Sequence, residues 1–252
     1  MPGVVLAHQA AETARETAIH VFARAGLAAA FGLAVLWSDP VVAAQGASGD
    51  PTPAASTATT VAISDYVPLF STREVKSTNL GAFKQWLSVM DRYSRERKQE
   101  KGPCTDDPAI CNLVEWKAFL TTVSGKDRMT QLQEVNKFMN THPYVTDMVN
   151  WGVADYWETP KEFLDRSGDC EDYAIAKFYS LRALGMDNTN LRIVVLQDMN
   201  LQVPHAILVA YLDGKPMVLD NQIPQVVDAS IIHHYRPYYS INEEYWWLHR
   251  PE

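Results

Sequence analysis

The sequence predicts an α+β fold in which helices come first and an antiparallel β-sheet follows. Three observations support this order. Apolar residues recur with a helical period between Leu80 and Thr141. A second apolar stripe of helical period begins at Cys170 and ends at a glycine, Gly185. Strand-like runs follow, and Asp213-Gly214 between two of them is a strong signal for a β-hairpin.

Four helices are predicted between Leu80 and Gly168. The spacing of apolar residues predicts one from about Leu80 to Met90, with Asn79 as its cap, a shorter one over Leu113 to Val123 and a third from about Arg128 to Thr141. The segment Thr159 to Glu162 combines a cap residue, a proline at the first helical position and a glutamate at the third. This capping box predicts the start of a fourth helix.

The second half is predicted to hold a cysteine-bearing helix and several strands. The helix runs from about Cys170 to Leu184, and its inward stripe consists of Ala174, Phe178, Leu181 and Leu184. The strand-like runs are Leu191 to Leu196, His205 to Leu212 and Lys215 to Asn221. We therefore expect the helix to pack on the sheet that these strands form.

The N-terminal region predicts export. Residues 25–37 form an apolar run of thirteen, which is short of the roughly 20 needed to span a bilayer. Arg15 and Arg24 precede it, and the small residues Val42 to Ala44 suit cleavage before Gln45. We assign 1–44 to a signal peptide, 45–64 to a flexible linker and 65–252 to one domain, and we expect a periplasmic location. An uncleaved anchor or a buried core helix are the alternatives.

The charge balance argues against a nucleic-acid partner. The chain carries a net charge of −8, whereas phosphate binding needs clustered Lys and Arg. The one dense basic stretch, Arg92 to Lys101, is interrupted by Glu96 and Glu100 and is typical of a solvated helix end.

Three cysteines divide into a pair and a single residue. Cys104 and Cys111 lie seven positions apart, so they either close a small disulfide loop after export or remain two free thiols. Pairing leaves Cys170 as the odd thiol. Cys170 follows a glycine break and begins a helix, where backbone N–H groups and the helix dipole stabilise the attacking thiolate. The alternative is a buried cysteine that acts only as a small apolar residue.

His205 and Asp220 are predicted to be neighbours on one face of a hairpin. A two-residue turn places Leu212 opposite Lys215, and the same register makes His205 the diagonal neighbour of Asp220. Asp220 could then hold the imidazole in one tautomer and stabilise the imidazolium. A bulge at Pro216 would instead place the two side chains on opposite faces. Cys170, His205 and Asp220 together form the set that nucleophilic catalysis requires.

Several of these segments resemble one family. They are Gly168 to Ala174 (GDCEDYA), Pro204 to Ala206 (PHA), Leu219 to Asn221 (LDN), Trp157 to Leu164 and Leu181 to Gly185. The set is similar to the bacterial transglutaminase-like cysteine proteinase family (BTLCP), which includes periplasmic biofilm proteases. The resemblance implies a papain-like, transglutaminase-like fold and a thiol protease with the catalytic residues Cys170, His205 and Asp220.

The same resemblance implies partners. The substrate would be a protein, namely a large cell-surface adhesin, and an inner-membrane receptor would sequester the protease. Two other functions remain open at this point. One is a transglutaminase-type acyl transferase with the same triad and an amine acceptor, and the other is a non-catalytic calcium-binding or adaptor module.

Acidic residues surround the candidate nucleophile. Asp169, Glu171 and Asp172 should disfavour a thiolate by like-charge repulsion. A bound Ca²⁺ would remove this conflict, because carboxylate oxygens suit hard cations. The resemblance implies that Asp169 and Glu171 bind calcium, with Asp172 as a third ligand. The alternative is that the three acids only cap the helix N-terminus.

Overall fold

The computed structural model describes residues 67–99 and 108–251. The predicted signal peptide, the predicted linker and Cys104 lie outside this part of the chain, and so does the side chain of Cys111. The predicted disulfide therefore stays a prediction. Within the described ranges, no helix combines the length and the apolar character that crossing a membrane requires.

The described residues form six α-helices that pack with the sheet. They are Lys84–Gln99 (α1), Pro108–Val123 (α2), Arg128–Met139 (α3), Asp147–Asn150 (α4), Pro160–Arg166 (α5) and Cys170–Ala183 (α6). Short 3-10 turns cover Leu69–Ser71, Asn188–Asn190 and Ala229–Ile231. The predicted order of helices first and strands later holds except for the strand Thr72–Ser77, which precedes the helices, pairs with the last strand of the chain and was not predicted.

Two helix boundaries follow the capping chemistry that the sequence predicts, and a third does not. The capping box of α5 is present, with the Thr159 hydroxyl accepting from the Glu162 N–H. Gly185 has a φ of +80° directly after the end of α6, a conformation that glycine adopts without strain. The prediction for α1 was wrong at its start. Asn79 accepts from the Gly81 N–H and so makes a turn, and the helix begins only at Lys84.

One seven-stranded antiparallel sheet forms the other half of the fold. Its strands are Thr72–Ser77 (β1), Leu191–Asp198 (β2), Val203–Leu212 (β3), Lys215–Leu219 (β4), Val227–Asp228 (β5), Tyr235–Ile241 (β6) and Trp246–Pro251 (β7). Their order across the sheet is β1-β7-β6-β2-β3-β4-β5. The central position of β2 and β3 places the start of β3 next to the helical layer.

Helix α6 is the central element of the core. The sequence predicted one inward stripe, but every residue from Cys170 to Leu181 is buried. The reason is that α6 lies between two layers. Apolar side chains of β2 and β3 cover one side, while α2, α3 and α5 cover the other. The N-terminus of this buried helix holds the candidate nucleophile.

Candidate active site

Cys170 is the first residue of α6 and is buried at the border of the main apolar cluster. Its thiol donates to Glu171 Oε2 at 3.3 Å, so the sulfur contacts a carboxyl group as well as apolar side chains. The chain arrives through Gly168, where a Cβ atom would lie 2.2 Å from Asp172 Oδ2. A glycine is required there because the backbone passes directly against that carboxylate. The Gly-Asp-Cys sequence thus positions the sulfur at the helix N-terminus.

The β3–β4 hairpin has the register that the sequence predicts. Leu212 pairs with Lys215, and the ladder continues past Pro216 without a bulge. His205 and Asp220 therefore meet as diagonal neighbours, with His205 Nε2 2.9 Å from Asp220 Oδ1. Both side chains are buried. The predicted pairing of these two residues is confirmed by this contact.

Further groups fix the Asp220 carboxylate and its backbone. Tyr235 donates its hydroxyl to Asp220 Oδ2 at 2.6 Å, and the Gln222 N–H donates to Oδ1 at 2.8 Å. The Asn140 amide donates to the Asp220 carbonyl at 2.8 Å. Sequence analysis missed these three partners. Only Gln222 carried a local signal, since an Asp commonly accepts from the N–H two residues later.

The electrostatics of the His205–Asp220 pair favour its charged form. Burial alone would raise the pKa of Asp220, but the hydrogen bonds from His205 and Tyr235 lower it below its ordinary value. Burial would lower the pKa of His205, yet the hydrogen bonds to Asp220 and to the Cys170 thiol raise it to about 10. The imidazole is therefore held as an imidazolium beside a carboxylate at neutral pH.

His205 also connects Asp220 to Cys170. Its Nε2 is taken by Asp220, so Nδ1 is the ring nitrogen that remains for the Cys170 sulfur, which interacts with this imidazole. The Gln222 side-chain amide lies 3.5 Å from this Nδ1. The structure thus brings all three predicted residues together: Asp220 holds the imidazole by a hydrogen bond, and the Cys170 sulfur interacts with the same ring. This arrangement can hold and move a proton between sulfur and imidazole.

A cluster of carboxylates surrounds the start of α6 and extends beyond the three predicted acids. Asp147 at the start of α4 and Asp155 in the loop after it join Asp169, Glu171 and Asp172. Their oxygens form sets of three within 4.8 Å of one another, and Asp169, Cys170 and Glu171 form a further set. Sequence analysis missed Asp147 and Asp155, because their segment reads as aromatic core or groove lining.

Backbone contacts bring α4 against the cysteine loop. Tyr144 forms a parallel bridge with Gly168, and the Val145 N–H donates to the Gly168 carbonyl at 2.9 Å. The Tyr156 N–H donates to Asp147 Oδ2 at 2.6 Å. These contacts close the loop around the carboxylates.

Burial strongly disfavours negative charge in this cluster. It raises the pKa of Asp147 to about 7, aided by the charge of Asp169, and that of nearby Glu158 to about 8. The pKa values of Glu171 and Asp172 lie well above their ordinary range for the same reason, with neighbouring acids adding to the effect. Within residues 67–99 and 108–251, no ion pair involves these carboxylates.

Unpartnered oxygens show that the cluster suits a hard cation. In this cluster and in nearby Glu158, four buried carboxylate oxygens have no hydrogen-bond partner among the described residues: Asp147 Oδ1, Asp155 Oδ1, Glu158 Oε2 and Asp169 Oδ1. Asp172 differs, since its two oxygens accept from the Glu158 and Asp169 N–H groups. Hydrogen bonding at the start of the helix therefore explains the position of Asp172, but it provides no partner for the four other oxygens. An oxygen-rich, anionic site of this kind fits calcium.

Comparisons with known proteins agree with this chemistry. Calcium-bound Legionella pneumophila LapG is 30% identical, with a TM-score of 0.52, over 64% of this chain and 87% of that one. EGTA-treated LapG of the same organism is 31% identical, with a TM-score of 0.53, over 62% of this chain and 84% of that one. No curated protein matches the chain in sequence.

A family model gives the assignment. The model of the bacterial transglutaminase-like cysteine proteinases (BTLCP) matches residues 101–248, which is more than half of the 252 residues. The resemblance inferred from the motifs is confirmed, and the α+β, papain-like fold agrees with it. This chain belongs to the bacterial transglutaminase-like cysteine proteinase family and is a cysteine peptidase.

Proposed function

We propose that this chain is a periplasmic, calcium-dependent cysteine endopeptidase. Cys170 is the nucleophile, His205 is its base and then the acid, and Asp220 orients His205. The observation that carries this proposal is the buried 2.9 Å hydrogen bond between His205 and Asp220, together with the interaction of the Cys170 sulfur with the same imidazole. The position of the sulfur at the N-terminus of α6 supports it, since helix N–H groups favour a thiolate.

The proposed reaction is a two-step acyl transfer. Cys170 attacks as a thiolate whose proton has passed to His205. The sulfur forms a bond to the carbonyl carbon of the scissile peptide bond, and the carbonyl π electrons move to its oxygen. The C–N bond then breaks as His205 gives its proton to the leaving amine, which leaves a thioester on Cys170. His205 next takes a proton from water, and the resulting hydroxide hydrolyses the thioester and frees Cys170.

Two groups stabilise charge during these steps. The Cys170 backbone N–H at the start of α6 faces the developing oxyanion and is one donor to it. Asp220 keeps the imidazole in place and stabilises the imidazolium, while Tyr235 holds the second carboxylate oxygen. The carboxylate does not need to take the proton.

The acidic cluster is the proposed calcium site. Asp147, Asp155, Asp169, Glu171 and Asp172 would hold the ion, and the buried oxygens without partners support this set. A bound Ca²⁺ supplies positive charge that offsets the carboxylates next to the thiol. The calcium-bound state of Legionella LapG supports the same metal for this chain.

Location and substrate follow from the N-terminal sequence and the family. The predicted signal peptide over 1–44 supports export to the periplasm. The family resemblance supports a large surface adhesin as substrate and an inner-membrane receptor as regulatory partner. These two assignments rest on analogy and not on contacts in the site.

A cleavage assay tests the function directly. Wild type and Cys170→Ala are incubated with exported adhesin fragments, each with calcium or with EGTA. We expect cleavage only by wild type with calcium. Equal cleavage by both proteins would remove Cys170 from the mechanism, and unchanged cleavage in EGTA would remove the catalytic requirement for calcium.

The same assay can separate hydrolysis from acyl transfer. A labelled primary amine is added together with the substrate, and the products are analysed by mass spectrometry. We expect free carboxyl ends at the cleavage site. Quantitative incorporation of the amine would instead support a transglutaminase-type acyl transferase.

A further inference from the structure

Lys177 is a buried charged residue that the proposed reaction does not use. It lies on α6 seven residues after Cys170, which is two helical turns along the same face. Its side chain is fully buried, and its Nζ atom has no hydrogen-bond partner among the described residues. An unpaired buried amine is costly, so its presence in the centre of the fold needs a physical reason.

Lys177 faces the end of α3 through its neighbour Tyr173. Its Nζ lies 5.7 Å from the centre of the Tyr173 ring, one turn earlier on α6. Tyr173 in turn donates its hydroxyl to the His142 carbonyl, just after the end of α3. This face of α6 therefore lies against the last turn of α3, which carries Asn136 and Asn140.

The two α3 amides bind the segment that contains Asp220. Asn140 donates to the Asp220 carbonyl at 2.8 Å, and Asn136 donates to the Pro224 carbonyl at 3.0 Å. The side-chain oxygens of Asn136, Asn140 and the adjacent Asn221 are buried without a donor. A lysine ammonium has three donors and no acceptor, so it complements these oxygens through a bridging water.

We propose that Lys177 is a positioning residue of the active site, whose buried ammonium supports the Asp220–Pro224 segment from behind and keeps the Asp220 carboxylate against His205. Asp220 takes its direct hydrogen bonds from His205, Tyr235 and Gln222, so Lys177 acts on it without direct contact. This inference rests on the proposed roles of Cys170 and His205.

The charge state of Lys177 agrees with this role. Burial lowers its pKa to about 7, and the charge of Asp220 opposes that effect. The titratable groups facing Lys177 are Asp220, with His205 bonded to it, and Tyr173 on its own helix; α3 presents the neutral amides described above. Apart from His205, the side chains that β2 and β3 pack against α6 are apolar.

The experiment compares the pH dependence of Cys170 alkylation by iodoacetamide in wild type and Lys177→Met. A positive charge near the Cys170–His205 pair disfavours proton binding, so its removal should move the acidic midpoint of the rate profile upward by about one pH unit. Above about pH 8 the two profiles should converge, because the wild-type amine is then neutral. The control is Lys137→Met, which removes an exposed lysine of α3 and should give the wild-type rate profile.

The outcomes separate positioning from packing. Profiles of Lys177→Met and wild type that coincide at all pH values, whatever the change in melting temperature, overturn the proposal. A Lys177→Arg variant should restore the wild-type midpoint. Wild-type alkylation that His205→Ala does not slow would contradict the proposed function instead, because it separates His205 from Cys170.

A second measurement applies if Lys177→Met does not fold. Lysine side chains labelled with ¹³C are titrated by NMR in wild type and in Asp220→Asn. The signal of Lys177 should titrate near neutral pH and move to lower pH when the Asp220 charge is removed. An unchanged midpoint in Asp220→Asn would show that the two groups do not interact and would overturn the proposal.

Discussion

Tyr235 donates its hydroxyl to Asp220 Oδ2 at 2.6 Å, while His205 occupies the other oxygen of the same carboxylate. The tyrosine comes from β6 and the histidine from β3, on opposite sides of β2 in the sheet. Asp220 is therefore fixed by two strands at once, and its orientation does not depend on His205 alone.

Replacing Tyr235 by phenylalanine should weaken catalysis while preserving the fold. The ring still fills its place, but the lost hydrogen bond to a charged acceptor is worth roughly 1.5 kcal/mol, so kcat/KM should fall about tenfold. Steady-state kinetics on a peptide substrate measure this effect. Tyr238→Phe is the control, since the exposed Tyr238 donates its hydroxyl to Gln197 and not to the carboxylate. Equal kinetics of the two variants would exclude a positioning role for Tyr235.

The hairpin that carries His205 and Asp220 was predictable because a two-residue turn fixes every pair after it. Once Asp213-Gly214 is recognised, the register between Leu212 and Lys215 follows, and it carries through to the catalytic pair. Tyr235 was not predictable in this way. It lies on a strand that reaches the site through pairing with β2, and that ladder contains a register shift.

The positions of the two carboxylates that sequence analysis missed could not be predicted from the sequence either. Asp147 and Asp155 lie in a short helix and an irregular loop, where apolar periodicity carries no information about position. Their place beside Cys170 depends on the Tyr144–Gly168 bridge, a contact between residues distant in sequence. The all-round burial of α6 likewise depends on which helices pack over it.

Stability in the absence of calcium should decrease as pH rises from about 4 to 8. The folded-state pKa values of Asp147 and Glu158, about 7 and about 8, lie above the ordinary values of 3.8 and 4.5. The folded protein therefore holds more protons than the unfolded chain across this window, and raising the pH removes that stabilisation. Urea unfolding in EGTA at several pH values measures it.

Calcium should reduce this loss, since a bound cation favours the ionised carboxylates. The free energy of unfolding with saturating calcium should then exceed the value in EGTA most clearly near pH 8. Equal pH dependence with calcium and with EGTA would contradict binding at these acids.

Asp155→Asn should weaken calcium binding, and it does so from a residue outside the Gly168–Asp172 segment that carries Cys170. Asp155 shares a set of close oxygens with Asp147 and Glu171, and one of its own oxygens is buried without a partner. Loss of one carboxylate charge should raise the calcium Kd by at least about tenfold, because affinity depends on ligand charge. Isothermal titration calorimetry measures the change. Asp165→Asn removes an exposed charge on α5 and should bind calcium like wild type; a matching Kd for Asp155→Asn would remove Asp155 from the site.

Gly168→Ala should disrupt the start of α6. The new Cβ would lie 2.2 Å from Asp172 Oδ2 and 2.6 Å from its Cβ, so backbone or carboxylate must move. Overpacking of this kind costs about 2 kcal/mol, which urea unfolding detects. The displaced carboxylate accepts from the Glu158 and Asp169 N–H groups, so calcium affinity and Cys170 alkylation should fall together.

Gly125→Ala provides the matched comparison for this substitution. A Cβ atom at Gly125 has no heavy atom within 4 Å, so the same chemical change should leave stability and alkylation near wild type. If Gly168→Ala also left stability and alkylation near wild type, the close approach between the backbone and Asp172 would not determine the position of Cys170. The glycine before the cysteine would then have to act in another way, such as by allowing movement of the loop.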